Sequence, residues 1–211
     1  AIHTSRKDDK TRIDQQDNSL ITIRSKHGVV NIHCPSFFTL PDNETPLLDG
    51  SLFNGVKNAF DMAAETGISF LTVDVEIKRI GNFFSLEIKD NGPGIDDSAV
   101  EPKVHQHIES KRKAGRALDP HDRGVSLHFP LTGSKSSELP DLGKYGRAAA
   151  FYPYLAREGF STRRGGTGVG LTFAAELARA VGGKCRLYDR THSDGARGAV
   201  SHTVFPIDHS L

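Results

Sequence analysis

The sequence predicts an α/β two-layer sandwich: a mixed, mainly antiparallel sheet with helices on one face. Three observations predict it. Two helical stretches, residues 52–65 and 172–181, are each followed by a pair of strand-like runs. The runs Phe70 to Ile80 and Phe83 to Asp90 are separated only by Gly81-Asn82, so they read as an antiparallel hairpin. The order helix–strand–strand, long irregular segment, helix–strand–strand is not a series of βαβ units, which argues against a doubly wound parallel sheet.

The elements follow in order. Residues 1–19 are charged and poor in apolar side chains, and are expected as a tail or linker remnant ahead of a domain spanning 20–211. Leu20 to Ile23 and Val29 to Ile32 are short strands. Pro41 to Pro46 is read as a loop. Leu52 to Glu65 carries Phe53, Val56, Ala59, Phe60 and Ala63 as an apolar helical stripe. Phe70 to Ile80 alternates Leu71, Val73, Val75 and Ile77, the period of a half-buried strand. Its partner carries Phe83, Phe84, Leu86 and Ile88 and ends at Asp90. Residues 96–165 show no sustained period and are rich in Gly, Pro, Ser and charge. So long a patternless stretch is expected to be a lid with an insertion. Thr172 to Val181 is helical and stopped by Gly182-Gly183. Lys184 to Tyr188 and Val200 to Ile207 close the chain as strands.

Composition narrows the function. The 211 residues are 36% hydrophobic and 25% charged, which suits a packed core, and the net charge of +1 argues against a dedicated nucleic-acid binder. No run approaches the roughly 18 apolar residues of a spanning helix, and residues 1–19 lack the apolar segment of a signal peptide. Two cysteines, Cys34 and Cys185, make neither a disulfide framework nor a zinc cluster. They read as small core residues. A reducing, cytoplasmic setting is expected.

Three segments carry candidate chemistry. The first helix places Asn54, Asn58 and Asp61 on one face through spacings of four and three. Asn and Asp compete with the helical backbone for hydrogen bonds, so three of them together need a reason. A solvated face is one. A polar wall for a metal and phosphates is the other, since an amide oxygen is a hard ligand suited to magnesium. Asp90-Asn91-Gly92-Pro93-Gly94-Ile95 is dense turn chemistry. It also fixes a carboxylate at a strand end, where it can accept from a ring amino group. Gly165 to Leu171 opens the second long helix. Its glycines admit phosphate oxygens, and the helix terminus offers free N–H groups. It is neither a Walker loop nor a Rossmann turn.

Together these segments resemble the N, G1 and G2 boxes of the GHKL superfamily of gyrase-type ATPases, Hsp90, histidine kinases and MutL. The boxes are Asn54-x-x-x-Asn58-Ala59, Asp90-x-Gly92-x-Gly94-Ile95 and Gly166-Thr167-Gly168-Val169-Gly170-Leu171. Phe151-Tyr152-Pro153-Tyr154 is similar to the F box of histidine kinases. The resemblance implies a Bergerat-type ATP-binding fold with Mg-ATP as its nucleotide. Asp90 would accept from the adenine amino group, with Gly92, Gly94 and Ile95 around the ring. Asn58 would ligate magnesium, beside Asp61. Gly166, Thr167, Gly168, Val169, Gly170 and Leu171 would cradle phosphate, and Phe151 would belong to the lid.

Within the superfamily the nearest likeness is the catalytic domain of histidine kinases. Hydrolysing members usually carry Glu where Asn54 stands, and an amide cannot act as the general base for water. Asn54 and Asn58 are therefore the candidate catalytic residues of a phosphoryl transfer to a histidine. The chain shows no phosphoacceptor histidine with the usual neighbours; His121-Asp122 comes nearest. The partner expected is a phosphoacceptor domain, with a response regulator beyond it, and dimerisation through a region outside this segment. Asn58 to Asp61, Gly133-Ser134-Lys135 and Leu142-Gly143-Lys144-Tyr145-Gly146 are similar instead to the B subunit of type VI topoisomerases. An ATPase of that, MutL or Hsp90 type is thus the alternative, and a non-catalytic nucleotide-binding module is a third reading. Ala148 departs from the topoisomerase pattern, and Ala199 stands where the kinases commonly carry Thr. His105, His107, His121 and His128 read as loop histidines. Lys111-Arg112-Lys113 reads as solvated charge, since residues 96–165 hold 12 basic against 9 acidic side chains.

Overall fold

The computed structural model describes residues 12–16, 19–35, 45–95, 97–118, 170–191 and 197–207. Among the described residues, ten elements run in the order β1 (Arg12–Gln16), β2 (Leu20–Ser25), β3 (Gly28–His33), α1 (Thr45–Glu65), β4 (Leu71–Ile80), β5 (Phe83–Asp90), α2 (Asp97–Lys113), α3 (Gly170–Ala180), β6 (Lys184–Thr191) and β7 (Arg197–Pro206). The strands form one sheet in the order β1-β2-β3-β4-β5-β7-β6. Every pairing is antiparallel except β3–β4, which α1 connects as a crossover. The sheet is mixed and mainly antiparallel, as expected.

The core lies between the sheet and the helices α1 and α3. Leu71, Val73, Val75 and Ile77 of β4 share a face with Phe84, Leu86 and Ile88 of β5 and with Phe205 of β7, and Ala59, Ala63, Ala174 and Ala178 close over them. The alanines let the helices sit close to the strands. Gly55 of α1 goes further: a methyl there would strike the Ile88 side chain. This contact fixes α1 above the end of β5. Cys185 is buried in the same core and accepts from Thr203 Oγ1 at 3.3 Å. Cys34 is half-buried, which pushes its thiol pKa up.

The opposite face of β4, β5 and β7 carries buried polar groups beside a small apolar cluster of Phe83, Tyr188, Val200 and Val204. Glu87 is fully buried, with Lys78 Nζ 3.3 Å and Lys89 Nζ 2.9 Å from its two oxygens. Lys89 also reaches Glu76 at 2.8 Å, and Ser85 Oγ meets His202 Nε2 at the same distance. The Lys89 hydrogen bond holds the Glu76 carboxyl below the usual carboxylate range. Burial opposes the charge on Lys89, yet its bonds to Glu76 and Glu87 push its pKa up.

The structure departs from expectation at three elements. Arg12–Gln16, inside the stretch expected as a tail, pairs with β2. α1 begins at Thr45, before the expected Leu52, and takes in Pro46 at its first turn, where the missing N–H is no loss. Asp97–Lys113, within the stretch expected to lack a period, is α2. Its buried stripe is narrow, Val100 and Val104, and Pro102 interrupts the helical signal. The expected stop of the second long helix holds: Gly182 takes φ of 71° and Gly183 N donates to Ala178 O. The Gly81-Asn82 turn joins β4 to β5, with Gly81 at φ 60°. Among the described residues, no helix is long and apolar enough to cross a membrane.

Candidate nucleotide-binding site

β5 alternates its side chains, so Asp90 follows Leu86 and Ile88 onto the helix side of the sheet. It sits where the hydrophobic run ends, at a half-buried position between the starts of β4 and β7. Its Oδ1 accepts from two backbone amides: Gly92 N at 2.8 Å within the turn, and Ala199 N at 3.1 Å from β7. Both bonds go to one oxygen and orient the carboxylate. Gly92 is buried, and a Cβ there would stand 2.8 Å from Asp90 Oδ1. Asn91 continues the ladder to β4, giving Thr72 N an acceptor at 2.7 Å through Oδ1 and donating its own N to Thr72 O.

Gly94 and Ile95 are held from β6 and β7. Ile95 N donates to Asp189 Oδ1 at 2.8 Å, and Arg197 Nη2 donates to Ile95 O at 2.7 Å. Arg197 also pairs with both Asp189 oxygens, at 3.1 and 3.2 Å. Gly94 has φ of 75°, in the left-handed region. Sequence reasoning missed Asp189 and Arg197. An ion pair across a hairpin leaves no local signature, and the strands were expected to stop at Tyr188 and to resume at Val200.

α1 and α3 meet at Asn58. A Cβ on Gly170, the first residue of α3, would lie 3.1 Å from Asn58 Nδ2 and 3.3 Å from Asn58 Oδ1. The structure thus brings the first and third sequence segments together at an amide and a helix N-terminus. Asn58 is half-buried there. Asn54, one turn earlier, is also half-buried, and Leu171 follows Gly170 into α3. Asp61 lies farther along α1 and pairs with Lys57 at 2.6 Å, with 34% of its side chain exposed. Phe151, Gly166, Thr167, Gly168 and Val169 lie outside the described residues, as do Lys135, Gly143 to Gly146, His121 and His128. His105, on α2, lies 3.6 Å from Glu101.

The sequence model of the family described as histidine kinase-, DNA gyrase B-, and HSP90-like ATPase matches residues 45–209, from the first residue of α1 to beyond β7. The chain belongs to that family. It is accordingly a GHKL ATP-binding domain, and the strands β1 to β3 precede the matched region. No curated protein matches the chain in sequence. Among solved structures, a mycobacterial sensor histidine kinase, MprB, is 16% identical, with 85% of this chain and 79% of that chain covered and a TM-score of 0.42. The catalytic domain of the histidine kinase ThkA, in a nucleotide-free form, is 12% identical, with coverage of 84% and 71% and a TM-score of 0.44.

Proposed function

We propose that this domain binds Mg-ATP and transfers its γ-phosphoryl group to a histidine on a separate domain or partner. Asp90 accepts from the adenine amino group. Its carboxylate is already oriented by Gly92 N and Ala199 N, so binding orders little that is not ordered beforehand. Gly92, Gly94 and Ile95 shape the turn around the ring. The donor set fits a hard cation beside phosphates: the Asn58 amide faces the start of α3, where first-turn N–H groups and the helix dipole favour anions. Asn58 would supply an oxygen to the magnesium ion that accompanies ATP, and the chemistry that ion would bring is neutralisation of phosphate charge. Gly166 to Leu171 would line the phosphates, Asp61 would accompany Asn58 toward the magnesium ion, and Phe151 would belong to the lid.

The observation that carries transfer over hydrolysis is Asn54. It occupies the helix position, one turn before Asn58, at which hydrolysing relatives place the carboxylate that activates water. An amide has no proton-accepting power for that step. The remaining catalysis is positioning and electrostatics, which a phosphoryl transfer can run on. Incubating the chain with labelled Mg-ATP and a histidine-bearing partner domain tests this. Label on the partner's histidine with little free phosphate is expected. Steady phosphate release by the chain alone, abolished by Asn58→Ala, would favour an ATPase of the topoisomerase VI B, MutL or Hsp90 type. Leu142-Gly143-Lys144-Tyr145-Gly146 is the feature that favours that second reading.

A further inference from the structure

We propose that Asp189 and Arg197 are positioning residues that set the 90–95 turn against the nucleotide base, a role that rests on reading that turn as the adenine site. The cross-strand pair Asp189↔Ala199 of β6 and β7 holds both ends of the turn. At one end, Ala199 N donates to Asp90 Oδ1; at the other, Asp189 Oδ1 accepts from Ile95 N. Arg197 closes the arrangement by donating to Ile95 O and to both oxygens of Asp189. Both polar groups of the Ile95 backbone are therefore fixed by side chains from another hairpin. Turn backbone elsewhere on a surface would be left to water.

Gly94 makes the approach possible. A Cβ there would stand 3.1 Å from both Arg197 Nε and Asp189 Oδ1 and 3.2 Å from Gly198 O. A side chain there would crowd the pair against Ile95, on a backbone that already takes a left-handed φ of 75°. The pair is also a poor candidate for a purely stabilising device. Its side chains are 51% and 32% exposed, and exposed ion pairs contribute little to folding. Its consequence lies in where it places Ile95 relative to Asp90, which is the spacing the adenine ring must enter.

Calorimetry of Mg-ATP and Mg-GTP with the wild-type chain, Arg197→Ala, Asp189→Ala and Asp189→Asn, alongside thermal melting, tests the role. Both alanine variants are expected to weaken Mg-ATP binding by about tenfold, the scale of one or two lost positioning hydrogen bonds. They are expected to narrow the ATP-over-GTP preference, with melting unchanged in Arg197→Ala and lowered in Asp189→Ala by no more than the loss of one backbone amide's acceptor. Asp189→Asn keeps an Oδ1 acceptor for Ile95 N and is expected to retain most of the affinity. Unchanged ATP affinity in the alanine variants overturns the proposal, as does a loss that tracks a fall in melting temperature and is not rescued by Asp189→Asn. Wild-type chain that binds no ATP would instead overturn the adenine-site reading itself.

Discussion

At the scale of single residues, the site depends on orientation more than on charge. Asp90 directs one oxygen at two backbone amides. Asp90→Ala leaves those amides without their acceptor, and thermal denaturation is expected to show a loss of about 1–3 kcal/mol. Gly170 makes a second prediction. Alanine is the better helix former, so Gly170→Ala should fold at least as well. Its methyl would nevertheless press on the Asn58 amide. Calorimetry is expected to show Mg-ATP binding weakened by about tenfold, near the worth of one hydrogen bond, with melting unimpaired. The Asp90 turn and the approach of Gly170 to Asn58 were legible in the sequence because the residue types contradict their surroundings: amides inside a helix, a carboxylate ending an apolar strand. Asp189 and Arg197 were not, since each is ordinary where it stands and acquires meaning only through the β6–β7 register.

At the scale of elements, α1 and the β4–β5 hairpin hold the parts together. Leu86 is fully buried under the helix layer, and Leu86→Ala is expected to cost about 2–5 kcal/mol, read by chemical denaturation. The polar face of the same hairpin gives a pH dependence. Glu76 has a lowered pKa, chiefly through Lys89. Its contribution is present above the unfolded value of 4.5 and is lost as pH falls through the lower folded value. Lys89 has the opposite sign: its contribution is present below 10.5 and is lost as pH rises through the higher folded value. Melting measured against pH should therefore hold between these limits. Glu76→Gln is expected to flatten the acid limb. The hairpin was readable from its strict alternation and its Gly-Asn turn. α2 was not readable, because Pro102 and a two-valine stripe mask a helix in ordinary pattern counting, and its pairs Glu101–His105 and Glu109–Lys113 look like scattered charge.

At the scale of the molecule, the sheet order explains why segments far apart in sequence meet. β7 inserts between β5 and β6, so the start of β7 lies beside the end of β5. The crossover through α1 carries Asn58 over that same end, and α3 docks on α1 there. This meeting point is where adenine nucleotide is proposed to bind, through Asp90. Calorimetry of Mg-ATP with the wild-type chain and with Asp90→Asn tests it most directly. The variant's amide oxygen can still serve Gly92 N and Ala199 N, while its amide nitrogen would face the adenine amino group donor to donor. Saturable binding by the wild type is expected, weakened by about tenfold or more in the variant, with both proteins equally folded. Equal ATP affinity in the two would contradict it.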